Sequence, residues 1–171
     1  LYIVDESGRY LYTRGNGSIG QDISYLIPYL NIPDYENIVI RGELIMPKEV
    51  FEKKYKETSA NARNLVSGII NQKKVEPEKF LDLDIVFYEV IKPELKPGDQ
   101  MKLLKEKMLG EKTVINDVTT NITNEKLSNY LIGWREGYKY EIDGIIVTND
   151  ELYERKNKNP EHSFAFKMVL S

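Results

Sequence analysis

The sequence predicts an α+β chain of mixed or antiparallel sheets with flanking helices, and three observations lead there. Alternating β-branched and aromatic runs recur along it without the regular strand–helix–strand spacing of a doubly wound sheet. The first two runs, residues 1–4 and 10–12, are separated only by the turn-forming Asp5-Glu6-Ser7-Gly8, as in a hairpin. Finally, 171 residues, 41% hydrophobic and 30% charged, suffice for one proper core and not for two independent ones.

The elements follow in order. Residues 22–30 predict a short helix capped by Asp22, with Ile23, Leu26, Ile27 and Leu30 on one face. Residues 37–46 read as a strand, and Pro47 suits the first position of a charged surface helix over 48–56. Residues 61–72 place Leu65, Ile69 and either Val66 or Ile70 on a helical stripe. A strand over 83–91 gives way to a loop marked by Pro93, Pro97 and Gly98. Met101, Leu104 and Met108 have helical spacing within 99–109, and Thr123-Asn124 signals the start of a helix over 124–135. Residues 142–147 and 163–170 close the chain as strands. The chain opens in mid-strand without a lead-in, so the expectation is one partial domain over residues 1–171, a fragment of something longer.

Composition narrows the chemistry. With no cysteine there is no disulfide, thiolate zinc site or cysteine nucleophile. The single histidine, His162, leaves no multi-histidine metal site. No apolar run approaches the ~20 residues of a membrane span, and no signal peptide opens the chain. The net charge of −3 gives no global basic field for nucleic acid. The basic runs at 53–56, 73–74 and 155–158 read as solvated faces.

Two motifs mislead. Gly15-Asn16-Gly17-Ser18-Ile19-Gly20 matches the dinucleotide-binding glycine pattern letter for letter. The strand before it is half-polar, Pro28 breaks the helix after it, and no second βαβ unit follows. A glycine-rich turn, or a binding loop of another kind, is left. Lys139-Tyr140-Glu141-Ile142-Asp143-Gly144 suggests a Lys-x-Asp-Gly nucleophile motif, with the lysine two positions too far away. In an extended segment Lys139 and Asp143 would share a face, which predicts a salt bridge or plain exposure.

Several segments, in one order along nearly the whole chain, resemble NAD-dependent DNA ligases. They are Thr13-Arg14-Gly15-Asn16-Gly17-Ser18-Ile19-Gly20-Gln21-Asp22-Ile23, the Arg41-Gly42-Glu43 stretch through Met46-Pro47-Lys48, and Asn61-Ala62-Arg63-Asn64 with Ser67-Gly68. Phe87-Tyr88, Tyr140-Glu141-Ile142-Asp143-Gly144-Ile145-Ile146-Val147 and Phe164-Ala165-Phe166-Lys167 continue the series. The resemblance implies the family's adenylation domain, a nucleotidyltransferase (ATP-grasp-like) fold. It implies transfer of AMP from NAD to a lysine, then to a DNA 5′-phosphate, before the nick is sealed. Lys167 and Asp143 would be catalytic, Arg14 and Arg63 would line phosphate and ribose, and Glu43 would accept from the ribose hydroxyls. Tyr88 would stack on adenine, and Asp143 would lie near Mg²⁺. The implied partners are nicked double-stranded DNA and further ligase domains, with no membrane and an intracellular setting.

The residues themselves allow plainer readings. Arg41 and Glu43 make a surface pair, Arg63 a solvated charge, Tyr88 a core residue, Asp143 a turn residue and Lys167 an exposed strand residue. His162 reads as a loop residue. The chain also departs from the family pattern. The lysine that becomes adenylated is not in it; Thr148 stands where a lysine is expected, and Asn71 where a second arginine would follow Arg63. Asn16 and Gln21 are milder changes, and together these mark a divergent member. Two alternatives stay open: an ATP-dependent polynucleotide ligase or capping-type nucleotidyltransferase, and a non-catalytic nucleotide- or DNA-binding module.

Overall fold

Strand register follows from burying one face of each apolar run. In β3 (Ile38–Ile45), Ile38 and Ile40 alternate inward, and β3 lies between β1 (Tyr2–Asp5) and β4 (Asp84–Lys92). With β2 (Gly8–Leu11) outside β1, the order β2-β1-β3-β4 makes a four-stranded antiparallel sheet. This computed structural model describes residues 1–14, 20–71, 76–108, 110–153 and 162–167. Most of the glycine pattern, the basic runs at 73–74 and 155–158, and the end of the predicted strand 163–170 lie outside those residues.

The main core forms where that sheet meets its helices. Tyr2, Phe87 and Val90 of the sheet join Leu26 of a 3-10 helix, Ser24–Tyr29, and Leu30 just after it, together with Leu104 and Met108 at the end of a helix over Pro97–Lys107. Helix α1 (Lys48–Lys54) carries no buried residue, as its charge predicts. Helix α2 (Ala62–Asn71) buries Val66 and Ile69. Helix α3 (Pro77–Phe80) inserts Phe80, and α4 (Pro97–Lys107) packs on β4.

A second, smaller cluster lies beyond it. Strands β5 (Gly144–Thr148) and β6 (Ser163–Lys167) pair antiparallel, and α5 (Asn124–Arg135) covers one face of the pair. Leu127 and Leu131 meet Ile145 there, with Trp134, Val147 and Phe166 around them. The Thr123 hydroxyl caps α5 by accepting from the Lys126 N–H at 3.1 Å, as the sequence signals.

Some expectations shift. The helix predicted over 22–30 is the shorter 3-10 turn with Pro28 inside it, and Asp22 instead accepts the Ser24 N–H in the turn ahead of it. Pro47 caps α1 rather than starting it. Helix α3 and a 3-10 turn, Gly110–Lys112, are too short to show periodicity. Mixed α and β elements with antiparallel sheets are as predicted. No helix among the described residues is long and apolar enough to cross a membrane.

Candidate functional site

The sheet builds the first half of the site at an irregularity. The β3–β4 register passes from Arg41 opposite Glu89 to Gly42 opposite Phe87, so Tyr88 is the extra residue of a β-bulge. At the bulge Tyr88 stands partly outward, 44% exposed, on the face opposite the fully buried Phe87. Its ring stacks on no other aromatic among the described residues. Gly42 makes this close pairing possible, because a side chain there would meet the Val86 carbonyl oxygen at 2.7 Å.

Charge gathers around that tyrosine. Burial raises the Tyr88 hydroxyl above its ordinary 10.0; Arg41 and Arg14 pull it down, while Glu89 and Glu43 push it up. Arg41 pairs across the strands with Glu89 at 2.7 Å, not with Glu43 as a surface pair would. The side chains of Glu43 and Arg14 are exposed and make no hydrogen bond or ion pair among the described residues. Arg14 stands just past a closed loop mouth, where Thr13 N–H donates to the Gln21 carbonyl at 2.9 Å. Gly20 is required at that mouth, since a side chain on it would collide with the Thr13 carbonyl.

The second half lies at β5–β6. Asn61 accepts from the Asn64 N–H at 2.8 Å, which fixes Arg63 in the first turn of α2. From there Arg63 reaches Asp143, Nη2 to Oδ2 3.1 Å. Arg135 at the end of α5 holds the same segment, donating to the Ile142 carbonyl at 2.9 Å and the Asp143 carbonyl at 3.0 Å. Gly144 pairs with Lys167, whose side chain lies across the space a Gly144 side chain would fill. Lys167 is exposed and has no ion-pair partner among the described residues.

Strand alternation extends that surface. The pairs Gly144–Lys167, Ile146–Ala165 and Thr148–Ser163 share one face, opposite the face that Ile145 and Phe166 present to α5. Ile146 is 70% exposed there, an apolar floor beside Lys167 that the sequence reading missed. Alternation over 144–148 was its available signal. At the far end, the Thr148 and Ser163 hydroxyls lie 2.9 Å apart, where the resemblance leads one to expect a lysine.

Arg63, Asp143 and Lys167 therefore come together, and Arg14 and Glu43 gather around Tyr88. Lys139 and Asp143 do not pair: Lys139 goes to Asp84 at 3.2 Å and Asp143 to Arg63. The expected shared face fails because β5 begins only at Gly144. Tyr88 is not the core residue of its plainer reading. His162 stacks on Tyr153, ring centroids 3.9 Å apart. Two shallow hollows of about 360 and 270 Å³ lie beside Ser7 and Gly68, and none of the six predicted site residues lines either. No group of three or more acidic or histidine side chains converges among the described residues.

Comparison with known proteins identifies the family. Residues 3–169 match the family described as NAD-dependent DNA ligase adenylation domain. The chain is 45% identical to the DNA ligase of Acanthamoeba polyphaga mimivirus over 176 residues, covering 98% of the chain and 27% of that protein. It is 34% identical to the putative DNA ligase 205R of Invertebrate iridescent virus 6 (92% of the chain, 27% of that protein). It is 30% identical to the DNA ligase of Fusobacterium nucleatum (91% and 25%). The chain thus spans about a quarter of the length of these curated relatives. With the family match running almost from end to end, the chain belongs to the NAD-dependent DNA ligase adenylation domain family.

Proposed function

We propose that this chain holds the adenylate of NAD, its substrate, within a larger DNA ligase that transfers AMP to a lysine and then to the 5′-phosphate of nicked DNA. The lysine nucleophile would come from sequence outside these 171 residues. The fold is read as the ATP-grasp-like nucleotidyltransferase type, set in an intracellular ligase with further domains. One observation carries the reading: at a bulge Tyr88 stands outward near the Glu43 carboxylate, which has no partner among the described residues.

Each residue has a part that its surroundings support. Tyr88 offers a free aromatic face for adenine, and the exposed Ile146 offers an apolar contact for the same base. Glu43, unpaired among the described residues, accepts from ribose hydroxyls. Arg14, Arg63 and Lys167 supply positive charge for the phosphate, where phosphoryl transfer depends on positioning and charge stabilisation. Asp143, an exposed hard oxygen donor, fits Mg²⁺ held by one carboxylate, phosphate oxygens and water. That ion would neutralise charge on the transferring phosphate.

The test uses the full-length protein. Incubation with NAD should release nicotinamide mononucleotide and label the protein with AMP, and Glu43→Ala and Lys167→Ala should each cut the label at least about tenfold. Release of pyrophosphate from ATP would favour an ATP-dependent ligase. No covalent AMP from either donor would leave a non-catalytic module, a reading that the neutral Thr148 and Asn71 favour.

A further inference from the structure

The two halves of the site sit on different sheets, and the Asp84 carboxylate is one of the groups that link them, beside Asp150, which accepts from the Gly98 N–H at 2.8 Å. Asp84 opens β4, four residues before Tyr88 on the same strand, and pairs with Ile45 of β3. Its Oδ2 accepts from the Tyr140 hydroxyl at 2.6 Å and lies 3.2 Å from the Lys139 ammonium. Tyr140 is 5% exposed and meets Tyr138 edge-on at 5.7 Å, so its ring has little freedom to move. Three residues later in the same segment comes Asp143. The backbone is pinned at Lys139, whose carbonyl accepts from the Lys48 N–H at 3.0 Å, and again by Arg135 at Ile142 and Asp143.

A short hydrogen bond from a buried ring to a carboxylate is stiff and directional. The Lys139 contact is more exposed and adds little. Burial first, and Asp84 second, push the Tyr140 hydroxyl above the ordinary 10.0, so it keeps its proton and donates at neutral pH. Neither Asp84 nor Tyr140 needs to touch a ligand for this bond to matter. With the Lys48–Lys139 and Gly98–Asp150 bonds it ties the Asp143–Lys167 half to the Tyr88–Glu43 half, and it is the tie nearest Asp143 in sequence among the three.

Building on the nucleotide-site reading above, we propose that Asp84 is a positioning residue, holding Tyr140 so that one nucleotide reaches both halves. Adenosine rests mainly on the Tyr88–Glu43 half and touches the other only through the apolar Ile146, whereas AMP adds the phosphate that Arg63 and Lys167 receive. Loss of the bond therefore weakens AMP far more than adenosine, because a shift on the order of 1 Å degrades the directional phosphate contacts across the joint much more than one non-directional apolar contact.

The experiment measures adenosine and AMP affinities by titration calorimetry on the full-length protein, freed of bound nucleotide. In Tyr140→Phe, which keeps the ring and its packing, AMP should weaken about tenfold while adenosine stays within about twofold. Asp84→Ala should behave the same way. Asp84→Asn, which keeps an oxygen to accept from Tyr140, should restore AMP affinity to within about threefold. Equal losses for both ligands in Tyr140→Phe would mean a purely structural bond, and unchanged AMP affinity would mean no role; either overturns the proposal. Wild-type protein that binds AMP no more tightly than adenosine would instead overturn the site reading, and the role of Asp84 with it.

Discussion

Replacing Gly42 by alanine tests the geometry on which the first half of the site depends. The added methyl would lie 2.7 Å from the Val86 carbonyl oxygen and 2.8 Å from Phe87 Cδ1, against ordinary contacts of 3.4–4 Å. Neither neighbour can retreat easily. Val86 belongs to the ladder opposite Glu43, and Phe87 is fully buried with its ring 5.9 Å from that of Tyr2. The strands must part at the bulge, an overpacking that costs about 1–3 kcal/mol. At a urea dependence of about 2 kcal/mol per molar, the unfolding midpoint would fall by about 0.5–1.5 M. Since Glu43 and Tyr88 flank the displaced residues, AMP affinity measured well below the transition should fall as well. Gly68→Ala is the control: it lies within α2 with nothing inside 4 Å, and should gain about 0.5–1 kcal/mol. A Gly42→Ala midpoint at or above that of wild type, with AMP binding intact, would refute the reasoning.

Stability should decline in alkali. Burial, reinforced by Asp82 and Asp84 respectively, raises the Tyr55 and Tyr140 hydroxyls above the ordinary 10.0. The folded state then holds protons that the unfolded chain gives up, so stability is complete below pH 10 and falls as pH rises beyond it. Urea midpoints between pH 9 and 11 should show this fall, and Tyr140→Phe should flatten it; an equal slope in that variant would count against the assignment. Thr148→Lys places a cation on the β5–β6 face that carries Lys167. AMP affinity should rise about threefold to tenfold at low salt, and the gain should shrink in about 0.5 M NaCl, where screening is strong. A gain that survives high salt would mean that charge is not its source.

Local pattern and long-range contact divide what was legible in the sequence. Strands β1, β3 and β4 and helix α5 could be read because alternation, helical spacing and a threonine cap are written in neighbouring residues. The bulge at Tyr88 could not, because an extra residue leaves no trace in a run where Ile85, Val86 and Phe87 are all buried. Tyr88 by itself reads as core, and its exposed place beside β3 shows only in the paired sheet. The partners of Lys139 and Asp143 were hidden for another reason. Asp143 reaches Arg63 across 80 positions and Tyr140 reaches Asp84 across 56, separations that no periodicity encodes. The order of the family motifs supplied the candidate site residues, whereas the proposed joint between the halves involves Asp84, which none of those motifs contains.

The ion pair between Arg63 and Asp143 follows the same division between holding a fold and serving a ligand. Its side chains are 77% and 68% exposed, and a pair so open to water contributes about 0–1 kcal/mol to stability. It is therefore a poor brace, and the segment does not need one, since Arg135 and Tyr140 already hold the backbone on either side of it. What the pair does is keep a cation and a carboxylate within 3.1 Å of each other at little cost in desolvation. On the proposed function, an arriving phosphate would compete for Arg63 on nearly equal terms and leave Asp143 to face a divalent ion. A buried version of the same pair would resist that exchange, because separating it would strand a charge out of water. The exposure of the pair is thus what suits it to a site whose ligands come and go.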